Sequence, residues 1–286
     1  MALESTLFAH GLPRPVNLDV AHDLEAILRQ AGVVPATVGV VDGVPTVGLG
    51  DGEIELLATR DVGKASLRDL PLAAALGAHA ATTVSATAWL AHRAGVQVFA
   101  TGGLGGVHRG ASTTFDESAD LFALAQTPIV VVCAGVKSVL DVPATLERLE
   151  SLAVGVAGYR TERFPGFLVA DSGYPVPWTL RDPEEVARAA SVRDELGQRG
   201  ALVIAVPVPE AGQLDPELHR RLLAEALDAA DAAGVAGQAV TPFLLDHMQR
   251  ASAGASLAAN LAAVRHNARV AAAIAVALSE ASGRRQ

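Results

Sequence analysis

Short apolar runs, separated by longer amphipathic or alanine-rich stretches, restrict this sequence to an α/β fold. The runs 37–41, 96–100, 129–133, 154–158, 166–170 and 201–206 have the length of strands. They are apolar at nearly every position, the pattern of strands buried on both faces. Helices are predicted between them at 18–31, 73–93, 118–125, 142–152, 183–198, 216–233 and 252–278. Asp141 with Pro143, Asp182 with Pro183 and Asp215 with Pro216 mark three helix starts, an acceptor set just before a first-turn proline. The segment VGVVDGVPTVGLGDGEIELLATR alternates glycine and valine in pieces that read as hairpins or an antiparallel edge, so the expected sheet is mixed. No long linker, low-complexity tract or internal repeat divides the 286 residues. One domain over 1–286 is therefore expected, large enough to bury a core without covalent staples.

Charge and cysteine usage exclude several roles. The net charge is -9 and the basic residues are scattered without aromatic interleaving, which argues against a nucleic-acid polymer as partner. The single cysteine, Cys133, has no partner for an intramolecular bridge and lies in an apolar run, so a buried structural thiol is expected. The N-terminal MALESTLFAHGLPRP lacks the basic region and sustained apolar segment of a secretory signal. The alanine-rich stretch 251–282 is interrupted by Asn260, Arg265, His266, Asn267 and Arg269, which reads as a buried helix rather than a membrane span. A cytoplasmic protein is expected.

Among 22 basic residues only Lys64 and Lys137 are lysine. Such an arginine bias fits the drift of a GC-rich coding sequence, in which lysine survives where arginine cannot substitute. A guanidinium stays protonated, whereas a lysine amine can lose its proton and attack a carbonyl to form a Schiff base. Lys137 lies four residues past an apolar strand and just before a helix, where α/β sheets present their ligand sites. Its neighbours Cys133, Val136 and Val139 would desolvate the amine and ease its deprotonation. A nucleophile and a loop lysine at the surface are the two readings, and the scarcity of lysine favours the first.

Three further stretches carry candidate chemistry. ATGGLGGVHRGASTTFDESADL follows a strand, precedes a helix and holds five glycines between Gly102 and Gly110. Its backbone N–H groups suit an anion, with His108 and Arg109 as candidate phosphate contacts; a crowded turn is the plainer explanation. It has neither the dinucleotide spacing nor the Gly-Lys-Ser/Thr ending of a nucleotide loop. FDESAD clusters Asp116, Glu117 and Asp120 at a helix start. These are either capping groups or, for one of them, the anchor of a hard divalent ion that keeps most of its waters. Glu4 sits in an apolar setting that would raise a carboxyl pKa enough for general-acid work, yet a position so near a chain end is ordinarily solvated.

With these pieces in place, the sequence resembles the pseudouridine-5'-phosphate glycosidase family, also known through indigoidine synthase A. The motifs that carry the resemblance run in order through ESTLFAHGLP, GVVDGVPTVGL, GGLGGVHRG, TFDESADL, VVVCAGVKSVLD, GYRTERFPGF and TPFLL. The resemblance implies a three-layer α/β/α fold with a mixed, mainly parallel central sheet. It implies reversible cleavage of the carbon–carbon glycosidic bond of pseudouridine 5'-phosphate to uracil and ribose 5-phosphate, a divalent metal, usually Mn2+, and a homotrimer. Lys137 then matches the family's nucleophile and Glu4 its proton donor. Lys64, Val84, Ser118, Ala119, Asp120 and Asn260 fall on substrate-binding positions, and Asp116 on the metal-binding aspartate. Three positions depart from the family pattern: Val206 and His266 replace polar asparagines, and Glu117 stands where an aliphatic residue is common. Another phosphosugar or nucleobase, as in pigment biosynthesis, and a catalytically silent sugar-phosphate binder are the competing readings.

Overall fold

The computed structural model describes residues 1–235 and 237–283. Ten strands form one sheet: β1 (Ala2–Glu4), β2 (Ala36–Val41), β3 (Val44–Val47), β4 (Gly63–Ala65), β5 (Ala80–Thr82), β6 (Val98–Ala100), β7 (Val130–Cys133), β8 (Gly155–Tyr159), β9 (Thr179–Leu180) and β10 (Leu202–Ala205). The order is β4-β5-β2-β1-β6-β7-β10-β8-β9, with β3 folded back on β2. Only β2–β3 and β2–β5 pair antiparallel, so the sheet is mixed and mainly parallel as expected. The helices are α1 (Thr6–His10), α2 (Val16–Gln30), α3 (Asp51–Thr59), α4 (Leu70–Ala75), α5 (Val84–Arg93), α6 (Ala111–Thr114), α7 (Ala119–Ala125), α8 (Val142–Ser151), α9 (Pro183–Glu195), α10 (Pro216–Ala232), α11 (Val240–Ala251) and α12 (Ala255–Gly283).

Because side chains alternate along a strand, the continuous apolar runs feed two cores. Phe99, Val131, Cys133 and Val203 point to one side, where they meet apolar residues of α5, α7, α8, α10 and α11. Val98, Ala100, Val130, Val132 and Ile204 point to the other, against α2, α9 and α12. The result is three layers. The three sequence-marked caps form as read: Asp141, Asp182 and Asp215 accept from the backbone N–H of Ala144, Glu185 and Leu218 at 3.0, 2.7 and 2.8 Å. Each such cap is worth about 1 kcal/mol to its helix. By length and hydropathy Ala255–Ala281 would pass for a membrane span. Here α12 instead packs on α2, α9, β6 and β7, so its apolar residues cover the sheet.

Three expectations are corrected. The helix predicted over 73–93 is two helices interrupted by β5, because Gly77 turns the chain at φ +60° and Ala80–Thr82 docks between β4 and β2. The run 166–170 is not a strand. Phe167 adopts φ +67° there, and Phe164, Phe167 and Leu168 turn into the core rather than pairing in the sheet. The N-terminus, read as ordinarily solvated, is β1 in the middle of the sheet, paired on both edges to β2 and β6. The expected hairpin does form, at β2–β3 with Asp42 and Gly43 both at positive φ. The second half of that segment is α3 rather than a further edge.

Candidate active site

Parallel strands end on one side of the sheet, and the loops that follow them there build a cavity of about 480 Å3. The glycine loop after β6 and the loop after β7 are laced together: Ala134 N–H donates to Gly102 O at 2.8 Å, Leu104 N–H to Gly135 O at 2.9 Å, and Lys137 N–H to Leu104 O at 3.0 Å. Gly135 has to be glycine, since it sits at φ +86° and a Cβ there would fall 2.2 Å from the Pro165 carbonyl oxygen. This lacing fixes the half-buried Lys137 among the buried Val136, Val139 and Leu140 with its side chain on the cavity wall. Cys133 in the adjoining strand is fully buried and its thiol is pushed up to about 12 by burial, as befits an inert structural cysteine.

Glu4 reaches the same cavity from the end of β1. The β1–β6 register pairs Ala2 with Phe99 and Leu3 with Ala100, and one step further sets Glu4 beside Thr101. Thr101 Oγ1 donates a hydrogen bond to Glu4 Oε1. Glu4 is only 7% exposed. Burial raises its pKa above the usual carboxylate value, against the opposing pull of the Lys137 charge, the Thr101 hydroxyl and Lys64, while Asp120 adds to the rise. A carboxyl so placed holds its proton to higher pH than a solvated one. Sequence reasoning passed over Thr101; its signal was its place one residue past β6, hidden beside a more conspicuous run of glycines.

Asp120 joins the glycine loop to the start of α5. Its Oδ1 accepts from Ser85 N–H and its Oδ2 from Gly105 N–H, each at 2.9 Å. Ser118 caps α7 by accepting from Asp120 N–H at 3.2 Å. The cap of this helix is thus Ser118, which was not among the acidic residues read as capping groups, and Asp120 acts as a clamp between backbones. Ser118, Ala119, Asp120 and Val84 all line the cavity. Val84 is the first residue of α5, where Thr83 provides no side-chain cap and Ser85 N–H is taken by Asp120. Its own N–H belongs to the first helical turn, where donors have no partner within the helix. A Cβ on Gly105 would lie 2.3 Å from Ser118 Oγ and 2.6 Å from Asp120 Oδ2. Gly105→Ala is accordingly expected to destabilise the fold by about 1–3 kcal/mol, measured as a lowered urea midpoint.

The remaining candidates divide. Lys64, on β4 at the sheet edge, lines the cavity; loss of surrounding water and the Lys137 charge hold its pKa below the usual lysine value, opposed by Asp120 and Glu4. Asp116 and His108 also line it, with Asp116 Oδ2 3.7 Å from His108 Nδ1. Arg109 does not line it, and its Nε approaches the Val139 carbonyl oxygen at 3.4 Å instead. Asn260, on α12, is likewise outside the lining, with a buried Oδ1 that finds no partner among the described residues and lies close to Gly102. Glu117, one of the departures, forms a 2.8 Å ion pair with Arg148 at the cavity wall. No cluster of three or more His, Cys, Asp or Glu able to hold a metal occurs among the described residues.

Comparison with known proteins places this geometry. Residues 1–277 match the family model described as indigoidine synthase A like protein. The pseudouridine-5'-phosphate glycosidase of Saccharopolyspora erythraea is 58% identical over 280 residues, covering 98% of this chain and 92% of the relative. That of Streptomyces griseus is 60% identical over 283 residues, covering 98% and 88%. Among solved structures, the prealnumycin C-glycosynthase in complex with ribulose 5-phosphate superimposes with a TM-score of 0.91 at 38% identity, covering 99% of this chain and 92% of that one. An indigoidine synthase A-like protein from Thermotoga maritima gives 0.90 at 37%, covering 97% and 92%. The fold, the cavity and these matches agree, and the chain belongs to the indigoidine synthase A-like family.

Proposed function

We propose that this chain is a pseudouridine-5'-phosphate glycosidase that works through a Schiff base on Lys137. The observation that carries the reading is the meeting of Glu4, from β1, and Lys137, from the loop after β7, in one cavity. The names of the relatives support the substrate, and ribulose 5-phosphate in a solved relative supports a five-carbon sugar phosphate as the ligand class.

A carbon–carbon glycoside has no leaving-group oxygen to protonate, so a pair of carboxylates does not suffice. Glu4 instead gives its proton to the ribose ring oxygen as the bond from that oxygen to C1' breaks. The Lys137 amine bonds to C1'. C5 of the uracil takes a proton as N1–H gives one up. The amine's lone pair then forms the C=N bond as the C1'–C5 bond breaks, and the departing electron pair enters the ring, where the C4 carbonyl and N1 share it until N1 takes a proton. Water hydrolyses the imine, which releases ribose 5-phosphate and the free amine. Lys64 and the first turn of α5 would hold the phosphate by point charge and backbone N–H. A silent binder would need neither a buried carboxyl of raised pKa nor a lysine at this place.

The proposal includes a divalent ion, Mn2+ by family resemblance, on Asp116. One carboxylate at a cavity wall, with a single imidazole 3.7 Å away, does not make a closed site. It would suit a hard ion that keeps most of its waters and takes few donors from the protein, with Asp116 as the residue that would hold it. When bound, such an ion supplies charge for orienting an anionic substrate. Asp116→Ala is expected to weaken Mn2+ binding about tenfold or more in the presence of ribose 5-phosphate, measured by titration calorimetry; unchanged binding would place the ion elsewhere. The function itself is tested by incubating the chain with pseudouridine 5'-phosphate and Mn2+ and following uracil by chromatography. Uracil and ribose 5-phosphate in equal amounts are expected, and intact substrate would overturn the reading.

A further inference from the structure

We propose that Thr101, anchored by Asn267, is a positioning residue for Glu4, an inference that rests on the glycosidase reading of the cavity. The Thr101 N–H continues the β6–β7 ladder by donating to Val132 O at 3.0 Å. Its carbonyl accepts from Asn267 Nδ2 at 2.8 Å, and the same amide approaches Gly102 O at 3.3 Å. Asn267 comes from α12 on the opposite layer and is 1% exposed; Thr101 is 2% exposed. The backbone of Thr101 is thus held from both sides at the point where β6 gives way to the glycine loop.

With its backbone fixed, the one remaining polar group of Thr101 is the hydroxyl, and it is spent on Glu4 Oε1. Glu4 Oε2 makes no hydrogen bond within the described chain, which leaves it as the oxygen able to carry a proton to substrate. A general acid has to present that proton within hydrogen-bond reach of the reacting oxygen, so which carboxyl oxygen is tied decides whether the other is aimed. An apolar isostere at 101 would free the carboxyl to rotate. The charged groups that act on Glu4 are Lys137 on the β7 loop, Asp120 on α7 and Lys64 on β4, and none of them is altered by a change at 101. Asn267 is needed because the glycines that follow Thr101 provide no side chain to brace it. It lies on α12 at the level of the β6 terminus, where its side-chain amide reaches the Thr101 carbonyl.

The test compares Thr101→Val, which keeps the shape and removes the hydroxyl, with Thr101→Ser, which keeps the hydroxyl. Two quantities are read at several pH values: kcat/KM for pseudouridine 5'-phosphate cleavage, and the carboxyl carbon resonance of Glu4, assigned by its loss in Glu4→Gln. Thr101→Val is expected to lower kcat/KM about tenfold or more, as for a general acid that is no longer held in its aimed orientation. It should also move the alkaline limb and the Glu4 resonance midpoint upward, since the lost donor favoured the ionised form. Thr101→Ser should return both towards wild type, a rescue that a purely structural role for the side chain would not produce. A folded Thr101→Val protein whose limb and resonance midpoint stay in place overturns the proposal, even if its rate falls. Asn267→Leu, should Thr101→Val fail to fold, is expected to shift the same midpoint, and an unmoved midpoint there counts against it equally. Absence of turnover in the wild-type enzyme would sink the glycosidase reading, which the resonance measurement does not depend on.

Discussion

Lys137→Arg is expected to abolish pseudouridine 5'-phosphate cleavage, with a loss on the order of 10^4-fold or more, the scale seen when an enzyme loses its nucleophile. The substitution keeps the positive charge and most of the side-chain length, so sugar-phosphate binding should persist. What it removes is a nitrogen able to shed its proton and bond to C1'. The backbone is indifferent to the change, because Lys137 is fixed through its N–H to Leu104 O and by the Gly135 turn before it. Uracil release in single-turnover assays measures the effect. Lys64→Arg is the matching control: as a point charge at the sheet edge it should tolerate the change far better, with the loss falling on KM.

Glu4→Gln is expected to lower kcat by about 10^2- to 10^4-fold, the usual worth of a positioned general acid. The same substitution has a consequence for stability with a definite sign. Burial raises the folded-state pKa of Glu4 above its unfolded value. The folded state therefore binds more protons than the unfolded one in the window between the two pKa values, and stability falls as pH rises through it. Above that window the buried carboxylate is a standing cost. Gln carries no such cost, so the inactive variant should melt no lower than wild type at neutral pH, and the gap should close as the pH is taken below the unfolded carboxylate pKa. Thermal melts of both proteins across pH check this. A variant that is both inactive and much less stable at neutral pH would mean that Glu4 serves mainly as partner to the lysine charges.

The sequence carried the layered plan because it is written in uniformly apolar runs such as VVVC, whose four residues are all buried. It did not carry the shortest strands. β1, β4 and β5 are three residues each, composed of Ala, Leu, Glu, Gly, Lys and Thr, and they are strands only because neighbours pair with them. That is also why Glu4 was read as a chain-end residue while the fold makes it central. Lys137 was legible from the scarcity of lysine and its place after a strand. Asp120 as a backbone clamp and Thr101 as a support were not, since both roles lie in contacts between residues 15 to 97 positions apart. Arg109 does not join His108 in the cavity lining, because adjacency in sequence says nothing about direction: His108 lines the cavity, whereas Arg109 donates to the Val139 carbonyl.

The most direct measurement is to incubate the protein with ribose 5-phosphate, reduce with borohydride and map the adduct by mass spectrometry. Reduction freezes a Schiff base at its lysine, and with only Lys64 and Lys137 in the chain the assignment is nearly free of ambiguity. A reduced pentose phosphate on Lys137 is the predicted result. An adduct confined to Lys64, or none at all under conditions where ribose 5-phosphate binds saturably, would contradict covalent catalysis by this site.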